Sequence, residues 1–322
     1  MSFIWPGFPS ARATSCEYAD YIEITCLRDG YASLTSVLNQ LGKLEDNDYE
    51  DGVEFDSVIE ESLDAALAEM DSRSRLLGEK YPFILNEQGT GVNLEPKIVS
   101  SHFIYVYLLL STRFNMKSNK IQNEIDSTLF FEKVCSVVAK NYFGKGTESL
   151  VFGTGDITGK GFEEKVELLI RRIGEGGKFM NRDPGPVSKK DAGVDVIAWK
   201  PFKDKKFGKL IGFGQCKTGR SWKNHVSSMQ PSAFIKTWFQ DSFAVNPTRM
   251  FFICESVSSN QWYENSVNAG IIFDRERIMN FEPSYDQGIL DECKNWLKGS
   301  FENSQMDLEN CAFYSSHFRA DD

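Results

Sequence analysis

Val194-Asp-Val-Ile-Ala-Trp199 and Lys209-Leu-Ile-Gly-Phe-Gly-Gln-Cys-Lys217, joined by a lysine-rich turn, read as two consecutive strands. One charge, Asp195, stands inside the first. An unpaired carboxylate in an apolar strand is costly unless it is paired or coordinates something. Gln215 and Lys217 lie two apart on the second strand, so their side chains share a face. If the strands pair as a hairpin, Asp195 can stand beside both.

Working outward, Phe162, Val166, Leu169, Ile170 and Ile173 fall on one face of a helix that Gly174 and Gly176-Gly177 then stop. Downstream, Arg249-Met-Phe-Phe-Ile-Cys254 and Gly270-Ile-Ile-Phe273 read as strands flanking a helix from Asn260 to Val267. Helices interleaved with strands predict an α/β sheet covered on both faces. Upstream, Gly153 to Gly161 resembles a phosphate loop only superficially. Five residues separate Gly153 from Gly159, and a glycine follows Lys160, so it reads as a linker or turn.

The first 150 residues read as mainly helical, from Tyr31–Leu41, Val58–Leu67, Ser101–Arg113 and Thr128–Val138, where apolar residues recur three and four apart. The acidic run Glu45 to Asp56 reads as a solvated loop or helix entry. The expected division is a helical module over 1–152, an α/β core over 153–285, and a C-terminal helix and tail over 286–322.

Length (322 residues), a hydrophobic share of 41% and a charged share of 25% are those of an ordinary globular protein with room for two modest cores. Seven cysteines without a CxxC pair point to free thiols in a reducing cytoplasm and away from structural zinc. The most apolar stretch, Phe103 to Leu110, is far below the roughly 20 residues that span a bilayer and reads as a buried helix. The net charge of −10 conceals an asymmetry: residues 153–242 carry 17 basic and 10 acidic side chains, whereas both flanks are acidic. A basic middle is the pattern expected of a face that meets a polyanion. Lys200, Lys203, Lys205, Lys206 and Lys209 contribute to it, or merely solubilise a hairpin. His102, His225 and His317 lie far apart with no nucleophile motif nearby, which disfavours a Ser/His/Asp hydrolase.

A carboxylate, a neutral amide oxygen and a lysine converging at one point suit metal-assisted phosphodiester chemistry. Here the chain resembles the PD-(D/E)xK nuclease superfamily, most closely its Mrr-type restriction endonuclease-like branch. The matching stretches are Gly161-Phe-Glu-Glu-Lys-Val-Glu-Leu-Leu169, Asp191-Ala-Gly-Val-Asp-Val-Ile-Ala198 and Gly214-Gln-Cys-Lys-Thr-Gly219. The resemblance implies a restriction-endonuclease-like core, a mixed central sheet flanked by helices. It implies a Mg²⁺-dependent (or Mn²⁺-dependent) DNA endonuclease in restriction or another anti-phage defence. Asp195 would be the central metal ligand, the Gln215 oxygen a neutral second ligand, and Glu163, with Glu167 as substitute, the helix carboxylate. Lys217 would orient the attacking water, and Asp191 would support the site. Arg220, Lys223 and His225 are candidate substrate contacts, while Trp222 is expected to pack into the sheet. The acidic flanks leave room for a helicase or ATPase partner that presents DNA, or for a homo-oligomer. A catalytically silent nuclease fold and an RNA nuclease are the alternatives.

Overall fold

The computed structural model describes residues 5–7, 9–10, 13–37, 52–86, 88–152, 161–182, 193–282, 286–304 and 307–318. The first part of the chain forms α1 (Ser15–Asp29), β1 (Tyr31–Ser33), α2 (Gly52–Leu77), β2 (Phe83–Leu85), β3 (Gly91–Leu94), α3 (Ser100–Arg113), β4 (Ile121–Gln122) and β5 (Ile125–Asp126). Next come α4 (Ser127–Phe143), β6 (Glu148–Val151), α5 (Phe162–Ile173), β7 (Val196–Trp199), β8 (Ile211–Lys217) and α6 (Pro231–Trp238). The remainder is β9 (Thr248–Ile253), α7 (Trp262–Ala269), β10 (Ile271–Phe273), α8 (Arg275–Asn280), α9 (Gln287–Glu302) and α10 (Ala312–His317).

Two compact units result: Met1–Ile125 with Ser256–Ser258 and Leu290–Asp322, and Asp126–Glu255 with Ser259–Ile289. The boundary expected at 152/153 therefore falls inside the second unit. Its physical reason is β6, which pairs antiparallel with β7 from Glu148↔Trp199 to Val151↔Val196 and so ties α4 and β6 to the sheet. The C-terminal tail belongs with the first unit and is not a separate piece.

In the first unit, Arg73 of α2 is wholly buried and reaches Asp20 and Glu23 of α1, each at 2.8 Å. Tyr81 and Tyr105 donate their hydroxyls to the same Glu23 carboxylate. Burial, reinforced by Glu23, pushes the Tyr81 hydroxyl well above its ordinary pKa. The expected helix over Tyr31–Leu41 is corrected at its start, because Tyr31–Ser33 pairs with β3. Gly91, without a side chain, leaves room for the Tyr31 ring. Residues 38–41 lie outside the described residues. Phe103 to Leu110 is buried in α3, as read. Among the described residues no helix is long and apolar enough to cross a membrane.

The second unit is built on a five-stranded mixed sheet of order β10-β9-β8-β7-β6. β6, β7 and β8 form an antiparallel meander, and β8, β9 and β10 run parallel. Ile197, Trp199, Ile211 and Phe213 point to one face, where Val166, Leu169, Ile170 and Ile173 of α5 and Phe234, Ile235 and Trp238 of α6 cover them. The apolar stripe of α5 is the reason it packs here: its buried residues recur at helical spacing, and Gly174 closes it at φ 73°.

The β7–β8 hairpin is stapled at both shoulders of its turn. Lys200 donates its ammonium to the Phe143 carbonyl at 2.8 Å. Lys209 is buried and donates to the Ile173 carbonyl at 2.7 Å, 3.6 Å from Glu175. The buried Glu175 carboxylate also accepts the Gly208 and Ala244 amides, at 2.9 and 3.2 Å. Removing it strands a buried ammonium and two amides. Glu175→Ala is expected to lower the stability of the sheet unit by about 3–5 kcal/mol, read by urea unfolding with tryptophan fluorescence. A loss below ~1 kcal/mol would show that this carboxylate does not hold the hairpin.

Candidate functional site

Asp195 stands one residue ahead of β7, at the end of the sheet where β6 finishes. Its carbonyl accepts the Phe152 amide at 2.8 Å, and its own amide donates to the Gly214 carbonyl at 2.9 Å. Val196 faces the same Gly214 in the register, so two residues address one and the ladder is bulged. The bulge re-aims the side chain: Asp195 Oδ2 accepts the Cys216 amide at 2.7 Å. Asp195 thus bonds to the residues on either side of Gln215, through its backbone to one and its carboxylate to the other. The two residues are brought together as the hairpin reading required.

Gln215 is buried on the face it shares with Phe213, and Lys217 follows it half-buried at the end of β8. Gln215 Oε1 accepts from the Ser228 hydroxyl at 2.9 Å. Its amide nitrogen lies over Gly193, whose φ is 77° and where an added Cβ would approach Nε2 to 2.9 Å. Neither Ser228 nor Gly193 was singled out from the sequence. A serine eleven residues beyond Lys217 carries no signal of its own, and Gly193 reads only as one position of a motif.

After Lys217, Gly219 turns the chain at φ 77° into a 3-10 segment, Arg220–His225. Trp222 is buried, as expected, and its indole N–H donates to the Glu255 carboxylate, which pins the segment. Arg220, Lys223 and His225 are exposed on it, with the Lys223 ammonium 5.7 Å from the Trp222 ring centre. Three basic or titratable side chains therefore stand on a fastened turn directly downstream of Lys217.

The helix carboxylates divide. Glu167 Oε1 accepts the Phe179 amide at 2.6 Å, which commits it to holding the turn after α5. Glu163 is exposed in the first turn of α5, beside a cavity of about 860 Å³ that Glu164, Arg171 and Asn181 also line. Asp195, Gln215 and Lys217 are not among the described residues lining that cavity. Phe162, next to Glu163, packs edge-on against Phe152 with ring centres 6.2 Å apart. The first turn of α5 thus lies at the same end of the sheet as Asp195. Asp191 lies outside the described residues.

The Asp195 carboxylate and the Gln215 amide oxygen are hard donors of the kind Mg²⁺ takes. An amide oxygen has two lone pairs, so Gln215 can keep Ser228 and still face a cation. Among the described residues no group of three or more His, Cys, Asp or Glu side chains could hold a metal ion. The donor set fits in kind, and it is sparse: the strands supply one carboxylate and one neutral oxygen.

Comparison with family models, with curated proteins and with solved structures found no match to this chain.

Behind the site, Cys216 faces Cys135 of α4, and burial holds both thiols neutral: Cys135 lies well above its ordinary range and Cys216 is pushed up to about 11 from 9.0. Cys216 binds its proton more tightly folded than unfolded. Its contribution to stability is complete below pH 9 and is lost as pH rises through about 11. All seven cysteines are buried. A disulfide thiol reagent at pH 8 is expected to label none of them in the native chain and all of them in guanidinium; prompt labelling of the native chain would contradict this packing.

Proposed function

We propose that the chain is a Mg²⁺-dependent DNA endonuclease with a restriction-endonuclease-like core, acting in restriction or another anti-phage defence. The observation that carries the reading is the clasp that sets Asp195 against both neighbours of Gln215, with Lys217 next on the same face of β8. The resemblance of the three motif stretches to Mrr-type nucleases, and the mixed sheet flanked by helices, support it.

Asp195 and Gln215 Oε1 would hold the cation, with Glu163 as the carboxylate contributed by α5. Bound there, Mg²⁺ supplies positive charge against the charge developing on the phosphate and lowers the pKa of water. Lys217 places an ammonium at the same strand end, where it orients the attacking water and offsets charge on the phosphoryl oxygens. Arg220, Lys223 and His225 hold flanking phosphates. With a single strand carboxylate, the site gains from the substrate's own phosphate oxygens as ligands. The acidic flanks around the basic middle favour delivery of DNA by a helicase or ATPase partner, or an activating second copy, over an unaided search.

One observation favours a second reading, a silent nuclease fold used as a binding module: both proposed donor oxygens already accept internal hydrogen bonds, from Cys216 and Ser228. Incubation with Mg²⁺ or Mn²⁺ and supercoiled plasmid, linear duplex, single-stranded DNA and RNA separates the readings. Cutting of DNA that falls about 10²–10³-fold in each of Asp195→Ala and Lys217→Ala is the expected result. Cutting of RNA alone would redirect the substrate. Full activity in both variants would remove this site from the reaction.

A further inference from the structure

We infer that the tip of the β7–β8 hairpin is a second nucleic-acid contact, which holds the unpaired strand leaving the proposed site. The inference rests on the nuclease reading for its direction and on the tip's own chemistry for its partner.

Five lysines cluster at this hairpin, and the structure divides them. Lys200 and Lys209 turn inward to staple its shoulders. Lys203, Lys205 and Lys206 remain exposed at the tip, where Asp204, 3.6 Å from Lys206, is the one acidic residue between Lys200 and Lys217. The same tip exposes Phe202 at 57% and Phe207 at 73%. Two bared phenyl rings work against solubility, so a solubilising role does not account for the composition. Lysines for phosphates and aromatic rings for base faces are the combination that binds single strands without sequence preference.

A receptacle lies beside one of the rings. Phe207 stands at a cavity of about 410 Å³ whose wall includes Ile170, Arg171 and Ser242, together with two carboxylates, Glu175, which is paired with Lys209, and the exposed Asp241. Phe207 stacks an unpaired base at this mouth, and Arg171 faces the adjoining phosphate. Arg171 also lines the cavity beside Glu163, so the two depressions share it as a wall. Because Glu175 holds Gly208 and Lys209, the tip is presented at a fixed distance from the site. From Ile211, beside the tip, to Lys217 at the site is six steps of strand, about 20 Å at ~3.3 Å per residue.

The test uses the full chain in EDTA, so that binding is read without cutting. Fluorescence anisotropy with a labelled strand of about 24 nucleotides, long enough to span both contacts at ~3.4 Å or more per nucleotide, is compared with the matching duplex. Phe207→Ala is expected to weaken single-strand binding about tenfold and leave duplex binding unchanged. The triple variant Lys203→Gln, Lys205→Gln, Lys206→Gln is expected to weaken both and to reduce the single-strand salt slope by about 2. Single-strand affinity and salt slope unchanged in both variants would overturn the inference. So would loss of binding to phosphatidylserine vesicles in the triple variant with nucleic-acid binding intact, which would make the tip a membrane contact. Absence of cutting by the wild type, with these binding losses still present, would count against the nuclease reading alone and leave the contact standing.

Discussion

The proposed site depends on how Asp195 grips β8. Its amide takes the Gly214 carbonyl and its carboxylate takes the Cys216 amide, so the residue is locked on both sides of Gln215. A hydrogen bond to a charged acceptor contributes about 1.5–3 kcal/mol. Its larger effect is on register. Side chains alternate along a strand, so a slip of one residue would turn Gln215 and Lys217 to the opposite face and move Asp195 off Gly214 and Cys216. The apolar pattern enforces the same register, because Ile197, Trp199, Ile211 and Phe213 must face α5 and α6 to be buried. Packing and polar bonding agree on one alignment.

That alignment has an electrostatic consequence. On the nuclease reading the strands would supply one carboxylate where two would hold a cation more tightly, and the remainder of the charge would come from α5 and from substrate. A site of this kind would be completed by its polyanion. The basic middle of the chain would supply the attraction, with basic side chains placed at both ends of β8: Arg220 and Lys223 after Lys217, and the hairpin lysines before Ile211. Positive charge therefore stands beyond both ends of this buried strand.

The sequence was most legible where periodicity and burial coincide. The stripe of α5, the runs that became β7 to β10, and the helix from Trp262 were readable because each buries one face at its own period. β6 was not, because Glu148–Val151 is four residues long beside a glycine-rich stretch and its pairing with β7 is non-local. Consequently α4 was assigned to the helical module although it belongs with the sheet. Tyr31 failed for a different reason: Tyr31, Leu34 and Val37 have helical spacing, yet Gly91 offers a cross-strand seat for the tyrosine ring that no local rule reveals. Within the proposed site, motif and alternation place Asp195, Gln215 and Lys217 on two adjacent strands, and the pairing of β7 with β8 agrees. The Ser228 bond, the Gly193 seat and the commitment of Glu167 to Phe179 arise from tertiary contacts that spacing alone does not encode.

The most direct measurement is an anomalous difference map from crystals of the chain soaked in Mn²⁺ with a nucleic-acid strand. A peak bonded to an Asp195 carboxylate oxygen and to Gln215 Oε1, at close to the ~2.0–2.1 Å of small octahedral cations, is the result predicted. A fully bound strand with no metal at Asp195, or a metal held elsewhere while Gln215 Oε1 stays on Ser228 alone, would contradict the account.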